Sequence, residues 1–321
     1  MQEPLVSILI AAYNAENTIA EAIDSCLEQS YKNIEIIVCN DGSTDDTLHE
    51  INIGNSEKIE VINHASNKGI AYTRNTLLKA SNGEYIAWLD ADDFMDEARI
   101  GEQLNYMLAN PTIDICGSWV MLVGKNGLSE LKKLPTNSNF IKAHLWFKNC
   151  LVQPSIFSKN FYKTENIFYN PDFDYMEDYE LWVRLRNTKQ FSNIDKYLTY
   201  YTKPDNKELE AKHIKYRFNE KQAKLWEIKW QEIPNNLGKE AKKNFQLFLK
   251  VNKKLNAYEI NDILRCLKAI ENNDVNKELN SFIQYHRFRV WKNGGLVYKI
   301  KNLRILLKTF SFLKFKQENN I

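Results

Sequence analysis

The sequence predicts an α/β fold built on a mostly parallel sheet, and three observations support this class. Short apolar runs alternate with helical patterns through the first hundred residues. These runs are apolar throughout rather than at every second position, which is typical of strands covered by helices on both faces. The chain has 321 residues, of which 44% are hydrophobic and 26% charged, as in globular proteins rather than disordered or collagen-like ones.

The predicted elements follow from the N-terminus. Apolar runs predict strands, and their ranges are 5–12, 34–39, 59–62 and 85–89. Apolar residues at helical spacing predict helices over 17–29 and 70–80. Ser43 and Asp46 form a capping pattern that predicts the start of another helix at residue 43. After Asp114 the pattern changes to a strand over 115–123 and a turn at 125–127.

Three parts of the chain are predicted: a sheet domain over 1–205, a helical appendage over 206–285 and a basic tail over 286–321. The tail carries nine Lys and Arg residues against one acid, a net charge of +8, so the rest of the chain is acidic. Residues 296–315 place apolar side chains on one helical stripe among these basic residues. Such a helix is typical of binding to an anionic membrane surface, although a helix packed on the protein remains an alternative.

Several classes of protein are excluded by what the sequence lacks. There is no run of 18 or more uncharged apolar residues, and the N-terminus has no signal-peptide pattern. We therefore expect a cytoplasmic protein. The five cysteines and five histidines show neither CxxC nor metal-ligand spacing, so structural zinc and a disulfide framework are not expected.

Polar residues follow the predicted strands at the end where ligands bind in open parallel sheets. Tyr13 and Asn14 follow the first strand, residues 40–43 follow the second, and Asp90, Asp92 and Asp93 follow the fourth. Three acids within four residues repel one another unless a divalent cation lies among them. Mg²⁺ or Mn²⁺ suits hard oxygen ligands of this kind and is commonly shared with substrate phosphates. The alternative is a solvated acidic turn.

The common glycine-rich nucleotide motifs are absent. No GxGxxG follows the first strand, and no GxxxxGK[ST] occurs, so a dinucleotide oxidoreductase and a P-loop enzyme are disfavoured. Phosphate is therefore expected to be held through a metal ion rather than by a glycine-rich loop.

Five blocks of residues, in this order and spacing, resemble glycosyltransferase family 2 and its GT-A fold. The blocks are VSILIAAYN (6–14), NDGSTD (40–45), NKG with RN (67–69, 74–75), DADD (90–93) and EDYELW (177–182). The resemblance covers about residues 4–204 and extends to bacterial lipooligosaccharide and capsule glycosyltransferases. It implies an inverting, metal-dependent enzyme that transfers GlcNAc, GalNAc, Glc or Gal from a UDP-sugar to a surface glycan acceptor of lipooligosaccharide, capsule or O-antigen type.

The resemblance also implies which residues bind the nucleotide: Ala11, Tyr13, Asp41, Asn67, Arg74, Asp90 and Ala91. Asp41 is similar to the residue that accepts from the uracil N3–H, and Tyr13 to the residue that packs beside the base. Thymine offers the same N3–H, so a dTDP-sugar stays open. The structural alternatives are a turn or helix cap for Asp41, a core tyrosine for Tyr13 and a surface ion pair for Arg74.

By the same resemblance, Asp92 coordinates the Mn²⁺ or Mg²⁺ ion, and Asp178 is the catalytic base. Glu177 is expected to orient the acceptor or Asp178, while Asp93 supports the motif without being a ligand. Acids in a first helical turn are also favourable with the helix dipole, which is the structural alternative for residues 177 and 178.

The chain departs from the family at three places. It has Ala11-Ala12 where Pro-Thr is common, Asn40 where an Asp is common, and Gln153-Pro154-Ser155 where relatives often place a His-Ser pair near the acceptor. Two rival functions remain at this point: a transferase using a dTDP-linked deoxy-sugar, and a catalytically silent subunit that binds membrane and partners. No motif predicts a nucleic-acid partner.

Overall fold

The computed structural model describes residues 3–53, 56–124, 127–203, 212–232, 237–250 and 255–273, together with residues 283, 286, 287, 289 and 290. Three predicted features lie outside the described residues, wholly or in part. They are the turn residues 125 and 126, the boundary at 204–206, and the amphipathic stripe over 296–315.

The first half of the chain alternates strands and helices as predicted. Its elements are β1 (Val6–Ala12), α1 (Ile19–Leu27), β2 (Ile34–Asn40), α2 (Thr47–Ile53), β3 (Ile59–Asn63), α3 (Ile70–Ala80), β4 (Tyr85–Asp90), β5 (Phe94–Met95) and α4 (Arg99–Ala109). The later elements are β6 (Ile115–Gly124), β7 (Gly127–Lys132), α5 (Ser138–His144), β8 (Phe157–Lys159), α6 (Glu177–Leu185), β9 (Phe191–Thr202), α7 (Lys212–Gln231), α8 (Lys239–Lys250) and α9 (Ala257–Asn273).

The strands form one sheet in the order β3-β2-β1-β4-β8-β6-β9-β5, with β7 paired to β6. The first four strands of this order are all parallel. Beyond β4, the pairs with β8 and the β5–β9 pair are antiparallel, while β6 and β9 run parallel. The predicted α/β class is confirmed.

The core explains why the first strands are apolar throughout. Ile8 and Ile10 of β1 pack in one cluster with Ile19 and Ile23 of α1, and all four are at most 2% exposed. Leu9, on the opposite face of β1, is also fully buried. Burying one such side chain contributes about 1.5–3 kcal/mol to folding, so burial on both faces of the sheet stabilises this part of the fold.

Helix α2 begins four residues later than the capping pattern predicted. The hydroxyl of Ser43 donates to Asn40 Oδ1 and accepts from the Asn14 backbone N–H, so it links the ends of β1 and β2. Asp45 takes the capping role instead, because its Oδ1 accepts from the backbone N–H of Thr47. The predicted cap was wrong because the Ser43 oxygen that would cap α2 accepts instead from the Asn14 backbone N–H, 29 residues away.

The contacts divide the chain into two units. One unit comprises residues 1–138 and 149–218, and the other comprises residues 139–148 and 219–321. The predicted ranges 1–205, 206–285 and 286–321 do not follow this division: residues 139–148 belong with the C-terminal helices. His286 and Val290, at the start of the predicted tail, are buried in the second unit.

The second unit has its own apolar core. Phe245 and Ile263 are fully buried there, and Trp226 and Trp230 pack edge-on against Phe245. Within the described part of the chain, no helix combines the length and apolarity needed to cross a membrane.

Candidate active site

The carboxyl ends of the central strands meet at one edge of the sheet. Ala12 of β1 is in register with Asn40 of β2, and Ala11 is in register with Asp90 of β4. The backbone N–H of Asp41 donates to the Ala12 carbonyl at 2.8 Å. Residues that are 28 to 79 positions apart in the chain therefore lie side by side, as expected for a ligand site in a parallel sheet.

A pocket of about 280 Å³ opens beside this edge. Its lining residues are Ala11, Ala12, Tyr13, Asp41, Asn67, Gly69, Ile70, Thr73, Asp174 and Tyr175. Four of the residues predicted to bind nucleotide are in this set: Ala11, Tyr13, Asp41 and Asn67. The other three, Arg74, Asp90 and Ala91, lie outside it. Tyr13 is 48% exposed, so it is not a core tyrosine.

Asp41 is only 3% exposed and orders the loop that leads into α3. Its carboxylate accepts from the backbone N–H groups of Lys68 and Gly69, each at 2.9 Å. His64 Nδ1 lies 2.7 Å from Asp41 Oδ1. Asp41 thus anchors a loop 27 and 28 residues away, rather than forming the local turn or helix cap that was its structural alternative, and it also lies on the pocket wall.

Gly42 is required at the turn that follows Asp41. Its φ of 68° lies in the left-handed region, and a Cβ there would come within 2.5 Å of the Ser66 carbonyl carbon. Only glycine lets the residue 66–67 loop approach this closely. The turn therefore places Asn67 on the pocket.

Arg74 lies beneath the site in a buried ion-pair cluster. Its Nη2 is 3.0 Å from Asp90 Oδ1, and its Nη1 donates to Glu177 Oε1. The Arg74 side chain is 6% exposed, which excludes the surface ion pair that was its structural alternative. Burial alone would lower the pKa of the guanidinium, but Asp90 and Glu177 outweigh burial and raise it.

Glu177 and Asp178 open helix α6 next to this cluster. Burial raises the pKa of Glu177 to about 7, although Arg74 opposes the shift. Burial likewise raises the pKa of Asp178, against Arg74, the Tyr179 backbone N–H and the Asn149 side chain. Asp178 is half-buried, and its Oδ2 accepts from Asn149 Nδ2 at 2.9 Å. A carboxyl whose pKa moves toward neutrality is suited to taking up a proton.

The acidic block after β4 divides into three environments. Asp92 is exposed and Asp90 is half-buried against Arg74. Asp93 is 2% exposed, and its Oδ1 accepts from the Thr202 backbone N–H at 2.7 Å. Burial, reinforced by Asp90 and Asp92, raises the pKa of Asp93. Asp93 is therefore held inside the fold, in line with a supporting role.

The donor set fits the hard cation that the sequence predicted. Across the described ranges, no group of three or more His, Cys, Asp or Glu residues is arranged to hold a metal ion. Mg²⁺ and Mn²⁺ do not need such a cage, because one or two carboxylates together with substrate phosphates and waters suffice. The exposed carboxylate of Asp92 meets that requirement.

Sequence reasoning missed several residues of the site. Asn149 contacts the predicted base, and His64 contacts Asp41. Asp174 and Tyr175 line the pocket, and Tyr175 has a φ of 65°, which is uncommon for a non-glycine residue. Tyr201 of β9 lies near the acids, which together with burial raise its pKa. None of these residues belongs to a local motif, so no sequence signal identified them.

Comparisons with known proteins show what the chain as a whole is similar to. The family model described as "Glycosyl transferase family 2" matches residues 7–168. An uncharacterized glycosyltransferase of Haemophilus influenzae is 33% identical over 210 residues, which are 62% of this chain and 65% of that protein. A second relative, from Escherichia coli, is the UDP-Glc:alpha-D-GlcNAc-diphosphoundecaprenol beta-1,3-glucosyltransferase WfaP. It is 48% identical over 103 residues, which are 32% of this chain and 41% of WfaP. The chain thus spans less than two thirds of both relatives.

Solved structures share the fold at low sequence identity. Staphylococcus aureus TarS (residues 1–349), in complex with UDP, has a TM-score of 0.58 and 20% identity, covering 90% of this chain and 88% of that one. The Pyrobaculum calidifontis mannosyltransferase PcManGT, in complex with GDP-Man and Mn²⁺, has a TM-score of 0.56 and 13% identity. The match covers 97% of this chain and 87% of the mannosyltransferase chain. The expected GT-A fold is confirmed.

Proposed function

The chain belongs to glycosyl transferase family 2, and on that premise we propose that it is an inverting glycosyltransferase. The donor is a UDP-sugar carrying Glc, GlcNAc, GalNAc or Gal, and the acceptor is a growing surface glycan of lipooligosaccharide, capsule or O-antigen type. WfaP is named for transfer from UDP-Glc to a diphosphoundecaprenol-linked GlcNAc. Glucose and a lipid-diphosphate acceptor are therefore the first pair to test.

One observation carries the proposal: a nucleoside-sized pocket and a helix bearing Asp178 meet at the same edge of the sheet. Tyr13 and Asn67 line the pocket, and Asp90 lies close enough to Asp178 to help raise its pKa. A single displacement requires a base that takes the proton of the acceptor hydroxyl on the side opposite the leaving diphosphate, and Asp178 is the carboxylate that we assign to this role. The dTDP-sugar alternative stays open, because the Asp41 carboxylate would accept a hydrogen bond from the N3–H of thymine as well as from that of uracil.

The proposed step is an in-line displacement at the anomeric carbon. The acceptor oxygen forms a bond to that carbon as the bond to the diphosphate oxygen breaks, and the UDP leaves with the bonding electrons. Asp178 takes the proton of the acceptor hydroxyl. Asn149 orients the Asp178 carboxylate, and Glu177 sets the position of α6 through Arg74.

Asp92 would hold Mn²⁺ or Mg²⁺ together with the diphosphate, and the ion would neutralise negative charge on the leaving group. Asp90 is assigned to the ribose side of the donor, with Ala91 contributing backbone groups. We further propose that the protein works at the inner face of the cytoplasmic membrane, bound there through residues 286–321. That part of the proposal rests on the basic charge of the tail and on the apolar stripe that its sequence predicts.

The test uses the purified full chain with Mn²⁺, a synthetic GlcNAc-diphospholipid and a panel of UDP- and dTDP-sugars. We expect a product of one added hexose by mass spectrometry, with UDP-sugars preferred and with inverted anomeric configuration by NMR. Transfer from dTDP-rhamnose alone would favour the rival donor. Absence of both transfer and donor hydrolysis with every nucleotide sugar would favour the non-catalytic alternative.

A further inference from the structure

Arg74 does not line the pocket, although the resemblance assigns it to the nucleotide. We propose that Arg74 is a positioning residue: its guanidinium holds Asp90, on the donor side, and Glu177, next to the base, in one buried cluster. The inference rests on the proposed function and deepens it. Arg74 acts on the reaction through these two carboxylates rather than by touching the donor.

The ion pairs join elements that are far apart in the chain. Arg74 lies on α3, Asp90 at the end of β4 and Glu177 at the start of α6. Arg74 Nη2 is 3.0 Å from Asp90 Oδ1, while Nη1 donates to Glu177 Oε1, so the two ends of one guanidinium hold two different elements. A rigid planar fork of this kind fixes geometry better than a lysine can.

The guanidinium is also held from its sides. Its central carbon lies 5.9 Å from the centroid of the Trp88 ring and 5.7 Å from that of the Tyr169 ring. Asn75, the residue after Arg74, binds the backbone of Tyr169 twice, at 2.8 Å and 2.9 Å. Gln153 Nε2 donates to the Tyr169 hydroxyl at 2.8 Å. The Arg74-Asn75 pair thus organises the segment that leads into α6.

The charges around Glu177 and Asp178 make Arg74 electrostatically important. The titratable groups that face these two acids are Arg74 on α3, Asp90 of β4, Tyr169 before α6, Tyr179 on α6 and Tyr201 on β9. Burial raises the pKa of both acids and Arg74 lowers it, while the charge of Asp90 raises both and that of Asp178 also raises the pKa of Glu177. Without Arg74 both pKa values would rise further, and Asp178 would be protonated over more of the neutral range.

The kinetic test compares Arg74→Gln and Arg74→Lys with the control Arg184→Gln. Arg184 is exposed on α6 and donates to Glu180 at 2.9 Å and to the Phe168 carbonyl at 2.7 Å, but not to Asp90 or Glu177. For Arg74→Gln we expect kcat at pH 7 to fall about 100-fold, the loss typical of a misplaced catalytic group. The acid limb of the pH profile should move upward by about one unit, which corresponds to about tenfold in the ionisation equilibrium. The dissociation constant of UDP should rise by much less than kcat falls, because Arg74 does not line the pocket and can affect the nucleotide only through Asp90.

Arg74→Lys keeps the charge and should recover at least about tenfold of the lost kcat, since Coulomb attraction survives without the fork. Arg184→Gln should leave kcat, the pH profile and UDP affinity unchanged. A loss of UDP affinity in Arg74→Gln with an unmoved acid limb would overturn the inference, because that pattern indicates a direct nucleotide contact.

A second arm needs no turnover and so separates failure of the inference from failure of the proposed function. It measures thermal unfolding of wild type, Arg74→Gln, Glu177→Gln and the double variant between pH 5 and pH 8. In Arg74→Gln the folded pKa values of Glu177 and Asp178 lie further above their unfolded values. The folded variant is therefore not penalised at a pH below the unfolded pKa of these carboxyls. It loses stability as the pH rises from that value through their folded pKa, because the buried carboxyls must then ionise.

The Tm deficit of Arg74→Gln should therefore grow from pH 5 to pH 8, and Glu177→Gln should relieve part of it. Equal deficits at both pH values, with additive effects in the double variant, would overturn the inference. If Arg74→Gln does not fold, Arg74→Lys replaces it in the same cycle, with a smaller growth of the deficit expected.

Discussion

Asp178 accepts at both carboxylate oxygens, from Asn149 Nδ2 at 2.9 Å and from the Tyr179 backbone N–H at 2.6 Å. Asp178→Asn keeps the shape of the side chain but removes the basic oxygen. We expect transfer to fall by about 10²–10⁴-fold, the usual contribution of a general base. UDP affinity should stay unchanged, as measured by calorimetry.

The matched control for this substitution is Asp195→Asn, because Asp195 is an exposed aspartate of β9. It should retain full transfer and full UDP affinity. Transfer at the wild-type rate in Asp178→Asn would remove Asp178 as the base and leave the neighbouring Glu177 to be tested next.

Asn149 offers a subtler test of the same group. Its Nδ2–H donates to the ionised carboxylate and so lowers the pKa of Asp178. In Asn149→Ala that donor is lost, so the pKa of Asp178 rises and the base is protonated at higher pH. We expect the acid limb of the pH–rate profile to shift upward, with the rate recovering at alkaline pH. A uniform loss at every pH would indicate misfolding of the loop instead.

At the scale of the element, the β2–α2 turn decides whether the pocket forms. Gly42→Ala would force a Cβ to within 2.5 Å of the Ser66 backbone at a φ of 68°. Such strain costs about 1–3 kcal/mol, and the residue 66–67 loop must move to relieve it. We expect a lower Tm and weaker UDP binding, measured by thermal unfolding and calorimetry.

Gly238→Ala is the control, because nothing lies within 4 Å of a Cβ at that position. It should change neither Tm nor UDP binding appreciably. Unimpaired UDP binding in Gly42→Ala would mean that the residue 66–67 loop does not contribute to the nucleotide site.

At the scale of the whole molecule, the proposed metal–diphosphate site links nucleotide binding to stability. A ligand at 100 times its dissociation constant stabilises the folded state by about 2.7 kcal/mol. UDP with Mn²⁺ should therefore raise the Tm by several degrees, and EDTA should remove most of the rise because the diphosphate loses its counter-charge. An equal rise with EDTA present would contradict the role of the metal.

Membrane association is also a property of the whole chain. His286 and Val290 are buried in the second unit, so a truncation at residue 286 would damage that core. Deleting residues 296–321 spares them and removes six of the nine basic residues of the tail. We expect sedimentation with phosphatidylglycerol vesicles to fall sharply, and sedimentation with neutral vesicles to be low before and after. Unchanged sedimentation would contradict the membrane role of the tail.

The sequence by itself determined the elements of the sheet domain and the grouping of its polar residues. Helix α3 spans Ile70–Ala80 as predicted, and β4 ends at Asp90. These features are local: apolar runs and helical spacing are read over a few residues. The parallel order then placed the strand ends, with Asp41 and Asp90, at one edge.

The tertiary structure decided which side chains meet. Ser43 Oγ accepts from the Asn14 backbone N–H instead of capping α2, His64 contacts Asp41, and Arg74 pairs with Glu177, 103 residues away. Each of these pairings depends on strand register and on the placement of a helix against the sheet. A polar group that is buried takes whichever partner the packed fold brings within reach, because leaving it unpaired costs more than any local preference supplies.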